Sequence, residues 1–151
     1  MSVPVTVRGY TNDDFDDVVT ILAQASRAAY TFMPWTHSDT SFRWFVCDAL
    51  KRWDNVRLGV HDKVTVGFAC LEGADLDQLF VRPDFQHCSI GRTLLDDIKR
   101  LRPDGFMLYT FQANLTARAF YESQGLVATA FGVSEAEKEP DVTYCWKPDV
   151  R

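Results

Sequence analysis

The chain has 151 residues, 46% apolar and 13% aromatic, which suits a single domain, residues 1–151, with a sizeable core and argues against disorder. A formal charge of -5 argues against a nucleic-acid partner, because phosphate backbones are held by clustered Lys and Arg. Four cysteines without a CxxC pair and three scattered histidines support neither a disulfide framework nor a structural zinc, so no metal is expected. No apolar run approaches the ~20 residues of a membrane helix, and the N-terminus lacks a signal-peptide core; the expectation is a cytoplasmic protein without a membrane partner.

Residues 3–8, VPVTVR, alternate β-branched side chains and predict a first strand, broken at Gly9-Tyr10. Thr11 is an N-cap candidate with Asp14 as its capping-box partner. Phe15, Val18, Val19, Leu22, Ala25 and Ala29 recur at helical spacing, so a helix runs from Asp13 to about Tyr30, stopped near Pro34. Ser38 caps a second helix with Phe42, Phe45, Val46, Ala49 and Leu50 as its apolar stripe. Trp53-Asp54-Asn55 is a turn. Strands follow at 56–60, 64–71 and 75–81, joined by short links at 61–63 and 72–74, as in an antiparallel meander.

The pattern then changes. Residues 91–101 form a helix with Leu94, Leu95 and Ile98 on one face, ended by Arg102-Pro103-Asp104-Gly105. Residues 106–110, FMLYT, predict a strand covered on both faces. Residues 114–123 are helical, with Leu115 and Ala119 or Phe120 facing in, and Gln124-Gly125 as the stop. A strand at 126–131, an acidic loop at 132–141 and a last strand at 142–146 complete the chain. Cys47, Cys70 and Cys145 read as core or half-buried fillers. The fold class is α/β, or α+β with a mixed sheet: a central mixed sheet flanked by helices.

Between the strand at 75–81 and the helix at 91–101 lies QHCSIG: Gln86, His87, Cys88, Ser89, Ile90 and Gly91. A strand-to-helix turn presents unpaired N–H groups that can hold phosphate. With the lead-in LDQLFVRPDFQ, the later NLTARAFYESQG and the order of elements, this stretch resembles the GNAT-type N-acetyltransferases, strongly from about Gly67 to Leu126. The family's loop has a glycine where this chain has Ser89, and often a basic residue at Cys88 and a glycine at His87.

The resemblance implies a GNAT-like fold and transfer of an acetyl group from acetyl-CoA to a primary amine of a small molecule or peptide, by direct attack on the thioester in a ternary complex. Backbone groups of Gln86, His87, Cys88, Ser89, Ile90, Gly91 and Arg92 are implied for the pyrophosphate, and those of Leu79, Phe80 and Val81 for the pantetheine. Asn114 is implied to orient the coenzyme or a water; its position also fits a plain helix cap. Tyr121 is implied as the acid beside the coenzyme sulfur. Asp75 or Asp77 is the base candidate, with Asp75 at the family's usual position. Period-two alternation puts both on the face of Leu79 and Val81. Tyr30, Phe32, Trp35 and His37 are candidates to line the acceptor pocket, and a homodimer is a possible assembly. The alternative is a catalytically weak or inactive GNAT-fold module that binds coenzyme A as a sensor or interaction domain, motivated by Cys88 and Ser89.

Overall fold

The computed structural model describes residues 3–30, 38–86 and 88–148. Its elements in chain order are β1 (Thr6–Gly9), α1 (Phe15–Ala29), α2 (Asp39–Ala49), β2 (Asn55–His61), β3 (Val64–Glu72), β4 (Asp75–Val81), α3 (Ile90–Leu101), β5 (Phe106–Phe111), α4 (Leu115–Ser123), β6 (Val127–Val133) and β7 (Pro140–Trp146), with short 3-10 turns at Asn12–Asp14 and Pro83–Phe85. The strands form one mixed sheet in the order β1-β2-β3-β4-β5-β7-β6. All neighbours are antiparallel except β4 and β5, which are parallel.

Local chemistry accounts for most boundaries. Thr11 and Asp14 form the expected capping box, and the Ser38 hydroxyl accepts from the Ser41 N–H at the start of α2. Asp62 and Lys63 take positive φ of 49° and 66°, the geometry that closes the β2–β3 hairpin. Gly125, at φ 90°, ends α4.

Helices cover both faces. On one, Ile90, Leu94, Leu95 and Ile98 of α3 and Tyr121 of α4 pack on Val66, Leu76, Leu108, Val142 and Tyr144. On the other, Val18, Ile21 and Leu22 of α1 and Phe42, Val46 and Ala49 of α2 pack on Leu58, Phe68 and Cys70. Each fully buried Leu or Ile contributes about 1.5–3 kcal/mol, so the two cores together fix how the helices sit on the sheet.

Several details differ from the sequence reading. The first strand begins at Thr6, and the loop before the last strand is shorter than residues 132–141, because β6 continues to Val133 and pairs it with Pro140. The inward face of α4 is Ala117, Phe120 and Tyr121, while Leu115 is 70% exposed and Ala119 lies outside. Cys47 is exposed on α2 rather than a core filler. Tyr109 of β5 is 61% exposed, because that strand borders an opening in the sheet instead of being covered on both sides.

Candidate active site

The opening is where β4 and β5 part. They share one paired position, Asp75 with Met107, supported by the Met107 N–H donating to Ala74 O at 2.9 Å. On its other edge β4 pairs with β3 from Val81 back to Asp75. A cleft of about 810 Å³ occupies the split, lined by Leu79, Phe80 and Val81 of β4, Leu108 to Thr110 of β5, the start of α3 and the inner face of α4. Its size lies within the ~300–1,000 Å³ of small-molecule sites.

The start of α3 faces this cleft. Ser89 is its N-cap, and the first backbone bond runs from the Thr93 N–H to Ser89 O at 3.0 Å. The N–H groups of Ile90, Gly91 and Arg92 therefore have no partner within the helix, and all three residues line the cleft with Gln86 and Ser89. Ser89 has φ 66°, ψ 11°, the left-handed region that favours glycine. This is where the resembling loop has glycine, so the turn keeps its shape with a serine in a costly conformation. Gly91 has a different reason: a Cβ there would lie 3.3 Å from the Phe120 ring, so glycine lets α4 close against α3. The Cys88 side chain packs on the core instead, and its carbonyl accepts from the Val3 N–H, which leaves only its backbone N–H for a ligand.

Asn114 and Tyr121 also line the cleft. The Asn114 side chain caps α4, accepting from the Ala117 N–H at 3.2 Å. Tyr121 is buried between Phe120 and Tyr144, with ring centroids 5.3 and 6.0 Å away. Burial, and secondarily Tyr30, push its phenol well above the ordinary 10, so it is held protonated. α4 is pinned by Glu122, which accepts from the Tyr144 hydroxyl at 2.5 Å, and by Arg118, which donates to that same hydroxyl at 3.1 Å.

A second cleft of about 800 Å³ lies against α1, α2 and the β6–β7 loop. Phe42, Trp44, Phe45, Phe80 and Phe111 give it aromatic walls, and its carboxylates are Asp77, Glu137 and Asp141. No Lys or Arg is among the described residues that line it. The two clefts meet: Tyr30, Asp77, Gln78, Phe80, Tyr109 and Thr110 line both. Tyr30 stands edge-on to Phe111 and Phe80, and burial, then Glu137, push its phenol up to about 12.

The two aspartates have separate settings. The register of β3 on β4 slips between Cys70 and Leu71, so Cys70 pairs with Gln78, Leu71 with Leu76, and Asp77 is the extra residue of a bulge. The slip inverts the alternation. Leu76, Leu79 and Val81 pack on the α3 side and Phe80 on the α1 side, so Asp75 does not share the face of Leu79 and Val81 as simple alternation predicts. Asp75 lines neither cleft; burial, then Glu72 and Asp77, raise its carboxyl above the usual range. Asp77 lines both clefts, and its Oδ2 accepts from the Trp53 indole N–H at 2.7 Å.

The structure thus brings together Leu79, Phe80, Val81, Gln86, Ser89, Ile90, Gly91, Arg92, Asn114 and Tyr121 around one cleft, with Asp77 and Tyr30 at its junction with the other. Phe32, Trp35, His37 and His87 lie outside the described residues. Sequence reasoning missed Phe42, Phe45, Phe111, Glu137 and Asp141 as cleft residues. Helical spacing marks Phe42 and Phe45 only as apolar, and nothing local ties Glu137 to α1.

Comparison with known proteins bears on the fold and the family. The profile of the Acetyltransferase (GNAT) domain family matches residues 53–126, from Trp53 through the cleft to the end of α4. The chain is 26% identical over 136 residues to the peptidyl-lysine N-acetyltransferase YjaB of Escherichia coli K12, covering 88% of each chain. The solution structure of apo YjaB superposes with a TM-score of 0.80 at 22% identity, covering 95% of this chain and 97% of that one. A GCN5-related N-acetyltransferase from Rhodopseudomonas palustris gives 0.81 at 20% identity, covering 98% of each. The PaiA N-acetyltransferase of Thermoplasma acidophilum, solved in complex with coenzyme A, gives 0.74 at 16%, covering 97% of this chain and all 100% of that one.

Proposed function

Since the chain belongs to the GNAT family of acyl-CoA-dependent N-acetyltransferases, we propose that it acetylates a primary amine of a small molecule or peptide by direct attack on bound acetyl-CoA in a ternary complex. The observation that carries this reading is the meeting of two clefts at Asp77 and Tyr30, which gives donor and acceptor separate entrances to one reaction point. The pyrophosphate takes the N–H groups at the start of α3, where the helix dipole favours an anion. The pantetheine lies along β4 beside Leu79, Phe80 and Val81, in the gap that β5 leaves, pairing as an added strand does. The amine enters through the aromatic, acidic cleft, whose carboxylates favour a cation.

In the reaction the amine nitrogen bonds to the thioester carbon. The ammonium must lose one proton to solvent before this attack; afterwards the C–S bond breaks with its electron pair going to sulfur, and the second nitrogen proton leaves to solvent through the same water route. A primary amine with a pKa near 10.4 costs about 4–5 kcal/mol to deprotonate at pH 7. Asp77, at the meeting of the two clefts, serves as an electrostatic anchor for the ammonium and as the end of a water relay. The same arithmetic defines Tyr121. A phenol held above its ordinary value is a weaker acid than a thiol near 8.5, so it stabilises the departing thiolate by a hydrogen bond without surrendering its proton.

The lysine side chain named for YjaB makes a peptide lysine a natural first acceptor to test here, beside small mono- and diamines. Release of free thiol from acetyl-CoA, followed across that panel with calorimetry of acetyl-CoA binding alongside, is expected to show turnover with at least one cationic amine. Tight coenzyme binding with no thiol release from any amine would instead favour the module that only binds.

A further inference from the structure

Asp77 is a bulge residue next to a gap in the sheet, and such a residue is poorly fixed by its own strand. What fixes it comes from elsewhere. Trp53 follows α2, and its backbone N–H closes that helix onto Ala49 O at 2.9 Å. The indole is 7% exposed, packs edge-on to Phe45 at 6.4 Å, and donates its N–H to Asp77 Oδ2 at 2.7 Å. Phe42, Trp44 and Phe45 of the same helix wall the acceptor cleft.

We propose that Trp53 is a positioning residue for acetyl transfer: its indole N–H holds one oxygen of Asp77 so that the other is presented to the acceptor amine where the two clefts join. The inference rests on the role given above to Asp77. It follows from the chemistry of the pair. Indole is a donor only, so it fixes a carboxylate without competing for the amine proton. A bond to an ionised acceptor is also roughly twice as strong as a neutral one. Because Trp53 and the acceptor walls ride on one helix segment, the carboxylate keeps its place relative to the amine even though its strand is irregular. Neither Trp53 nor α2 lines the coenzyme cleft, so the effect falls on turnover and leaves coenzyme binding alone.

The test is a double-mutant cycle in the full-length chain, using the best amine of the panel. Trp53→Phe keeps a ring and removes the donor. Asp77→Asn keeps an acceptor oxygen and removes the charge. Trp53→Phe is expected to lower kcat about tenfold, with KM for acetyl-CoA unchanged, and to cost nothing further in the Asp77→Asn background. An equal loss in both backgrounds would mean that Trp53 is only structural and would overturn the proposal, as would an unchanged kcat in the single variant. Full turnover in Asp77→Asn alone would overturn the role of Asp77 itself. Calorimetry with acetyl-CoA confirms folding of each variant independently of turnover, and a Trp53→Phe chain that fails to bind the coenzyme would contradict the separation on which the proposal stands.

Discussion

The two clefts are built from different materials. The one between β4 and β5 offers mainly backbone: the free edge of a strand and the first N–H groups of α3. The one against α2 and the β6–β7 loop offers side chains: Phe42, Phe45, Phe111, Glu137 and Asp141. A backbone site tolerates sequence change provided that its turns hold: with Ser89 and Cys88 in place of the residues of the resembling loop, a helix still starts at Ile90. A side-chain site changes its ligand with each substitution. The proposed function therefore ties coenzyme binding to backbone geometry in the first cleft and the choice of acceptor to side chains in the second.

Substitutions can break this division. The largest effect belongs to Tyr121, which lines the first cleft but not the second. Tyr121→Phe removes a hydrogen bond to a developing charge worth about 1.5–3 kcal/mol and is expected to lower kcat roughly 10- to 100-fold in steady-state assays, with acetyl-CoA affinity unchanged by calorimetry. In the acceptor cleft, Phe111→Leu is expected to raise KM for the amine about 3- to 10-fold, with KM for acetyl-CoA unmoved. In the coenzyme cleft, Ser89→Gly relieves a left-handed serine. It should raise Tm by about 2–5 °C in a thermal melt, from roughly 1 kcal/mol, and tighten acetyl-CoA binding no more than a few-fold.

The smallest effect on activity lies outside both clefts. The Arg8 guanidinium hydrogen-bonds Asp14 and, with help from the Thr11 N–H and against the opposing effect of burial, lowers its carboxyl from 3.8 to about 2. A pKa lowered by folding stabilises above the unfolded value, so this contribution is complete above pH 3.8 and is lost as the pH falls through about 2. Asp14→Asn should cost on the order of 1–2 kcal/mol in urea unfolding at pH 7, with a smaller difference below pH 3 and kcat unchanged at pH 7.

Much of this was legible in the sequence because its causes are local. The Thr11–Asp14 box, the Ser38 cap, the Gly125 stop and the bounds of β4 all follow from residues within a few positions of one another. The strand-turn-helix setting of residues 86–91 was legible from its place between β4 and α3. What was not legible depends on register and distance. The bulge at Asp77 has no Gly or Pro to mark it, and it alone decides that Asp77, and not Asp75, reaches the clefts. Trp53 reads as a turn residue until its indole is seen 24 positions away on Asp77. The inward face of α4 was legible only in part: Phe120 packs inward as its spacing predicts, with Ala117 and Tyr121, whereas Leu115 is apolar yet exposed.

The central claim is the division of labour between the clefts, and amide exchange on coenzyme A binding tests it most directly. Saturating coenzyme A should slow exchange at residues 78–81 of β4 and at Ile90, Gly91 and Arg92, leaving α2 and residues 134–141 unchanged. Protection centred on α2 and residues 134–141, with β4 and the start of α3 unaffected, would contradict it.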